Sequence, residues 1–173
     1  MRLTVVVGNP KKGSRTLHVA ERLAARVVAS TGATLLPPID LIDYGSMLFE
    51  WPNDELARLN QIVKDSELLI VASPTYKASY TGLLKAFLDR YPSNGLAGVT
   101  AIPLMTASSP EHGVAVEFTL RPLLVELGAS VPTRGLSFYT PDMGRVDDIL
   151  DRWAAANLTT PGIFAPFVDL PEV

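Results

Sequence analysis

Two hydrophobic rhythms alternate along the chain. Short runs that are apolar at every position predict strands buried on both faces, and stretches with apolar residues three and four apart predict helices. Leu3 to Val7 is the first run, and Gly8-Asn9-Pro10 ends it at once. From Ser14 the helical rhythm takes over, with Leu17, Ala20, Leu23, Ala24, Val27 and Val28 on one face and Gly32 as the stop. Thr34-Leu35-Leu36 is a weak second strand cut short by Pro37-Pro38, and Asp40 to Tyr44 reads as an irregular connection. Leu56, Leu59, Ile62 and Val63 predict a helix over 53–64, and Leu68 to Ala72, ending at Ser73-Pro74, is the strongest strand pattern. Beyond it the pattern predicts a helix over 79–91, a strand over 99–105 and a helix over 114–127 stopped by Gly128. A strand over 135–139 and a helix over 147–158 complete it.

Strand–helix alternation at this spacing requires crossover connections, and hence a parallel sheet with helices on both faces. Five strands in this length favour the flavodoxin-like order 2-1-3-4-5, an α/β fold whose ligands bind beyond the carboxyl ends of strands one, three and four. One domain spanning 1–173 is expected, with an irregular tail from about residue 159 that holds Pro161, Pro166 and Pro171.

Composition narrows the chemistry. The chain of 173 residues carries 15 basic and 18 acidic side chains, a net charge of -3, which gives no electrostatic footprint for nucleic acid. With 0 cysteines there is no thiolate nucleophile, iron–sulfur ligand or dithiol pair, so any redox chemistry must be carried by an organic cofactor. No apolar stretch reaches the length of a membrane span and no signal peptide is legible, so a soluble cytoplasmic protein is expected.

Two loops at the expected carboxyl edge carry the candidate chemistry. Gly8-Asn9-Pro10-Lys11-Lys12-Gly13-Ser14-Arg15-Thr16 enters the first helix, where free N–H groups and the helix dipole attract an anion. The spacing of Gly8 and Gly13 fits a Walker loop, but Ser14 and Arg15 stand where it needs Lys and Ser or Thr. Pro10 breaks the dinucleotide fingerprint as well, which leaves a monophosphate as the best candidate. The alternative is that Ser14 only caps the helix and Arg15 is solvated. The second loop, Ser73 to Ser79, is stiffened by Pro74, and Tyr76 can cover a planar ring. Among the other candidates, His112 in Pro110-Glu111-His112-Gly113 reads as a rim residue and His18 lies inside a helix, so no metal site is expected. Asp40, Asp43, Asp54 and Glu55 read as solvated or capping groups, and Trp51 and Trp153 as packing or interface residues.

These motifs resemble the NAD(P)H-dependent FMN reductases of flavodoxin-like fold, and among them most the flavin reductases that serve sulfonate monooxygenases. The resemblance covers most of residues 3–140. It rests on Gly8 to Thr16, on Ser73-Pro74-x-Tyr76-Lys77-x-x-x-x-Gly82-x-Leu84-Lys85-x-x-x-Asp89, and on Thr106 to Gly128 with its Leu120-Arg121-Pro122-Leu123-Leu124. It implies that Ser14, Arg15 and Thr16 hold the FMN phosphate while Asn9 shapes the loop. Pro74, Thr75, Tyr76 and Lys77 would border the isoalloxazine, and Thr106, Ala107, Ser108 and Ser109 would hold its far edge. Many relatives have a Gly-Gly pair where this chain has Ala107-Ser108, so the pocket is expected to be narrower. FMN is the implied cofactor and NADPH or NADH the co-substrate, with no catalytic side chain needed for hydride transfer. A homodimer or homotetramer is implied, with a flavin-dependent monooxygenase as partner and a π-bulge at Tyr80 in an interface helix. A fixed-FMN quinone or azo reductase, a flavodoxin-type electron carrier and a member that binds no flavin stand as alternatives.

Overall fold

A computed structural model describes residues 1–159. Its strands are β1 (Arg2–Val7), β2 (Thr34–Leu35), β3 (Ile39–Asp40), β4 (Leu68–Pro74), β5 (Thr100–Ala107) and β6 (Leu136–Tyr139). The helices are α1 (Arg15–Thr31), α2 (Asp54–Lys64), α3 (Gly82–Leu88), α4 (Arg121–Glu126) and α5 (Val146–Asn157). All strand pairs are parallel, in the order β2-β1-β4-β5-β6, with β3 also paired to β1. This is the expected 2-1-3-4-5 order with one refinement. Pro37-Pro38 divides the second strand into two pieces, because proline has no N–H for the ladder. Asp40, read as part of a connection, closes the second piece, and Leu41–Met47 forms a 3-10 turn.

The alternation of side chains along each strand sorts the core into two layers. Leu3, Val5, Val7, Leu68, Ile70, Ile102, Leu104 and Phe138 pack against α1 and α5. Val6, Leu69, Val71, Ala101 and Met105 pack on the opposite face with residues of α2, α3 and α4. Every residue of β4 is buried, as its unbroken apolar run requires of a central parallel strand.

Two helices depart from their predicted extents. α3 begins at Gly82, three residues late, because Thr81 caps it by accepting from Leu84 N–H at 3.1 Å. Tyr80 therefore lies outside the helix, and the expected π-bulge is not there. A π-helical turn occurs instead at Val116–Leu120, immediately before α4. Pro122 supplies the cause: it has no N–H to donate to the carbonyl of Phe118, and its ring would clash with that carbonyl in an α-helix. Arg121 and Glu117 secure the turn, Arg121 by donating to the carbonyls of Val131 and Thr133 and Glu117 by accepting from Gly135 N–H. The expected tail lies outside the described residues, apart from Thr159.

Candidate functional site

The carboxyl edge of the sheet is held by a few close contacts. Gly8 leaves β1 with its N–H on the Ala72 carbonyl at 2.8 Å, and a Cβ at this position would lie 2.5 Å from the Cβ of Leu84. Only glycine lets the strand exit and α3 approach so closely. Thr81 Oγ1 donates to the Gly8 carbonyl at 2.5 Å and Thr81 N–H donates to Ser73 Oγ at 3.0 Å, so the exits of β1 and β4 share one clamp.

Beyond Gly8 the loop turns on Asn9. Its Oδ1 accepts from Lys11 N–H at 2.9 Å and its Nδ2 donates to Thr16 Oγ1 at 2.9 Å. Gly13 takes φ 60°, the left-handed conformation that delivers the chain to Ser14. Ser14 caps α1 by accepting from Leu17 N–H at 3.1 Å, which leaves its hydroxyl hydrogen free to donate. The first turn of α1 holds no acidic residue to neutralise its positive end. Arg15 is exposed beside it and makes no ion pair among the described residues. Lys12, by contrast, is tied to Asp43 at 2.7 Å, and that carboxylate raises its pKa.

Thr16 is buried, and its Oγ1 lies 2.7 Å from Thr106 Oγ1 at the end of β5. After β4, Thr75 N–H donates to the Thr106 carbonyl at 2.7 Å. Tyr76 and Ser79 then exchange backbone bonds at 2.8 and 3.1 Å across a two-residue turn, Lys77 (φ 51°) and Ala78 (φ 64°). Both central residues are left-handed, as in a type I′ hairpin turn, although neither is the glycine or asparagine this turn prefers.

These loops enclose a cavity of about 390 Å³, lined by Asn9, Lys11, Gly13, Ser14, Arg15, Thr16, Pro74, Thr75, Tyr76, Thr106, Ala107, Ser108 and Thr140. The volume lies within the ordinary range for small-molecule sites. The lining contains two cations, no carboxylate and many hydroxyls, a composition suited to an anionic, hydrogen-bonding ligand. Of the residues expected here, Lys77 and Ser109 are absent from the wall. Lys77 occupies the exposed tip of the turn, and the Ser109 side chain bonds Glu111, holding that carboxylate below its usual pKa. Ala107 is buried at the end of β5 while Ser108 is exposed, so the hydroxymethyl group stands at the mouth. Sequence reasoning missed Lys11, Gly13 and Thr140 as wall residues. Lys11 and Gly13 lay inside a loop already singled out, whereas Thr140 carries no local signal beyond following β6.

The other candidates lie elsewhere. His18 is exposed on α1, and half-buried His112 does not reach the cavity wall. Arg90 stacks 4.0 Å from the centre of the Trp51 ring, while Trp153 packs against the α5 side of the core. No helix among the described residues is long and apolar enough to cross a membrane.

A doubly wound parallel sheet with a cavity lined by cations and hydroxyls beyond strands β1, β4 and β5 defines the class: a flavodoxin-like fold. A flavodoxin from Bacillus cereus shares this fold, with TM-score 0.61 at 22% identity over 89% of this chain and 95% of its own. Residues 1–140 match the family model described as NADPH-dependent FMN reductase, and the chain belongs to that family. An FMN reductase (NADPH) from Escherichia coli (strain K12) is 29% identical over 142 residues, 79% of this chain and 72% of the relative. A solved structure of an NADH:FMN oxidoreductase in its apo form aligns with TM-score 0.76 and 31% identity, covering 94% of this chain and 92% of its own.

Proposed function

We propose that this protein is an NAD(P)H:FMN oxidoreductase that binds FMN in the cavity at the carboxyl edge of the sheet. FMN supplies the acceptor for a hydride from NADPH or NADH. The observation that carries the reading is the wall itself. It joins a carboxylate-free seat bearing Ser14 and Arg15 at the start of α1 to the space between the exits of β4 and β5. The family's activity needs both parts.

In this reading Ser14 and Arg15 donate to the phosphate, together with the free N–H groups of the first turn of α1. The Thr16 hydroxyl already accepts from Asn9 and pairs with Thr106, so it shapes the seat and contributes at most one further donor. Pro74, Thr75 and Tyr76 border the ring on one side and Thr106, Ala107 and Ser108 on the other. No side chain has to move a proton to the ring for hydride transfer. The residues orient the flavin and leave one face open for the nicotinamide, so placement and proximity carry the rate.

The reading extends to a single domain working in the cytoplasm, where reduced nicotinamide nucleotides are supplied, and to delivery of reduced flavin to a monooxygenase. It also includes a homo-oligomer. Val114 just before the π-turn, Phe118 on it and Val125 on α4 are 60%, 76% and 55% exposed, an apolar surface that a second copy would cover. The test is a steady-state assay of NADPH and NADH oxidation with and without added FMN. Oxidation that rises with FMN and saturates supports the reading, and none with either nucleotide at any FMN concentration overturns it.

A further inference from the structure

Three basic residues stand between β1 and the first turn of α1, and the fold treats them differently. Lys11 and Arg15 line the cavity, whereas Lys12, between the wall residues Lys11 and Gly13, does not. Its ammonium is turned outward onto Asp43, which accepts at 2.7 Å. The sheet places Asp43 there. β3 pairs with β1 at Val7 and Asp40, so the 3-10 turn Leu41–Met47 that follows β3 lies beside the loop that follows β1. Asp40, the other carboxylate that acts on Lys12, is buried and contributes least.

The side chains of Lys12 and Asp43 are 77% and 45% exposed, and an ion pair this open to water is weak enough to be exchanged. Lys12 precedes Ser14 by two residues, at most about 7 Å of chain. The chain turns between them at Gly13, with φ 60°, and the span is comparable to the reach of the four-carbon lysine stem. A phosphate monoester carries about -1.5 to -2 charges near neutral pH, against -1 for a carboxylate. An anion on Ser14 and Arg15 is therefore a rival to Asp43 for the same ammonium. We infer that Asp43 is an internal competitor of the flavin phosphate: it draws Lys12 away from the seat and so sets how strongly the protein prefers FMN to a flavin without phosphate. This assignment rests on the FMN-binding reading above. It makes Asp43 a specificity-determining residue that touches no ligand and acts through Lys12.

The test is a double-mutant cycle read by fluorescence titration of FMN and riboflavin. Asp43→Ala releases Lys12 and should tighten FMN about 2- to 5-fold while leaving riboflavin unchanged. Most of that gain should vanish when Asp43→Ala is made in a Lys12→Gln background, and added salt should shrink it. Asp43→Asn, which keeps the shape of the turn, is a second variant and should show the same pattern. Riboflavin binding reports that each variant is folded. Unchanged FMN affinity in both folded variants would overturn the inference. So would an equal gain with and without Lys12, which would mean that Asp43 acts by its own charge, or a gain shared by riboflavin. A parent that binds neither flavin would remove the FMN reading together with this inference, an outcome distinct from a parent that prefers FMN with Asp43 indifferent.

Discussion

Arg15 carries the selectivity expected of the proposed phosphate seat. It is exposed, lines the cavity and has no carboxylate partner among the described residues, whereas neighbouring Lys12 is neutralised by Asp43. A charge-assisted bond to phosphate contributes about 1.5–3 kcal/mol. Arg15→Ala should therefore weaken FMN about 10- to 150-fold while leaving riboflavin unchanged, as read by fluorescence titration of both ligands. A second residue-scale expectation concerns Ala78, held at φ 64°. Left-handed backbone is costly for alanine and nearly free for glycine, so Ala78→Gly should stabilise the fold by about 0.5–1 kcal/mol. Urea unfolding would show this as a higher midpoint at unchanged slope. The strain at this turn also accounts for Lys77, which the motif placed at the ring. With φ 51° the turn lifts its side chain to the exposed tip, and nothing in the spacing of Tyr76 and Ser79 announces a two-residue hairpin built without glycine.

At the scale of elements, α1 and α5 are joined by charge as well as by apolar packing. Arg22 and Arg26 both bond Asp147, and Arg26 also reaches Asp151 at 2.9 Å. These bonds, first those from Arg22 and Arg26 themselves, hold the Asp147 carboxyl down to about 2. The folded value lies below the ordinary carboxylate value of about 3.9, so the stabilisation is complete above that pH and fades as pH falls through the folded value. Asp147→Asn should lower the melting temperature at pH 7, and the gap from the parent should close between about pH 4 and pH 2. Because the pair is half exposed, salt should narrow the gap too. Elements were the level most legible in the sequence. The apolar runs of β1, β4 and β5 and the stripes of α1 and α2 follow from local periodicity alone. The π-turn did not, because it depends on Pro122 acting four residues back and on carbonyls at 131 and 133 that only the fold brings to Arg121. Tyr80 was chosen by position in a motif, and Thr81 capping α3 placed it outside the helix. The loop after β1 was legible as a stretch of the cavity wall because its glycines and hydroxyls are contiguous. Thr140 was not, since it meets the cavity only when β6 docks beside β5.

For the whole molecule, two properties follow from surface and cavity together. Phe118 is the most exposed large side chain of the apolar face around α4. In an oligomer built on that face, Phe118→Asp should lower the mass measured by light scattering at micromolar concentration, while the monomer keeps its far-ultraviolet circular dichroism. The second property is how firmly flavin is held. The wall offers one arginine without an ion pair among the described residues, at the start of α1, and one aromatic, Tyr76, itself 52% exposed. That set suits a dissociation constant near 1 μM, about -8 kcal/mol, and falls short of the roughly -12 kcal/mol of a nanomolar prosthetic group. The purified protein should be largely colourless, and its nucleotide oxidation should depend on added FMN. Yellow flavin that survives extensive dialysis, with activity indifferent to added FMN, would identify a fixed-flavin quinone or azo reductase instead.

The hydroxyl seam from Asn9 through Thr16 to Thr106 joins residues 7 and 90 positions apart and is complete within the protein itself. A seat assembled in advance asks for no ordering when a flavin arrives and no melting when it leaves. Encounter then proceeds at the pace of diffusion and orientation, and affinity is expressed as dwell time. With an arrival rate of about 10⁶ M⁻¹s⁻¹ and a dissociation constant near 1 μM, a flavin stays for about one second. In the function proposed above, the seam would let the domain load and release a flavin within about a second, like a turnstile.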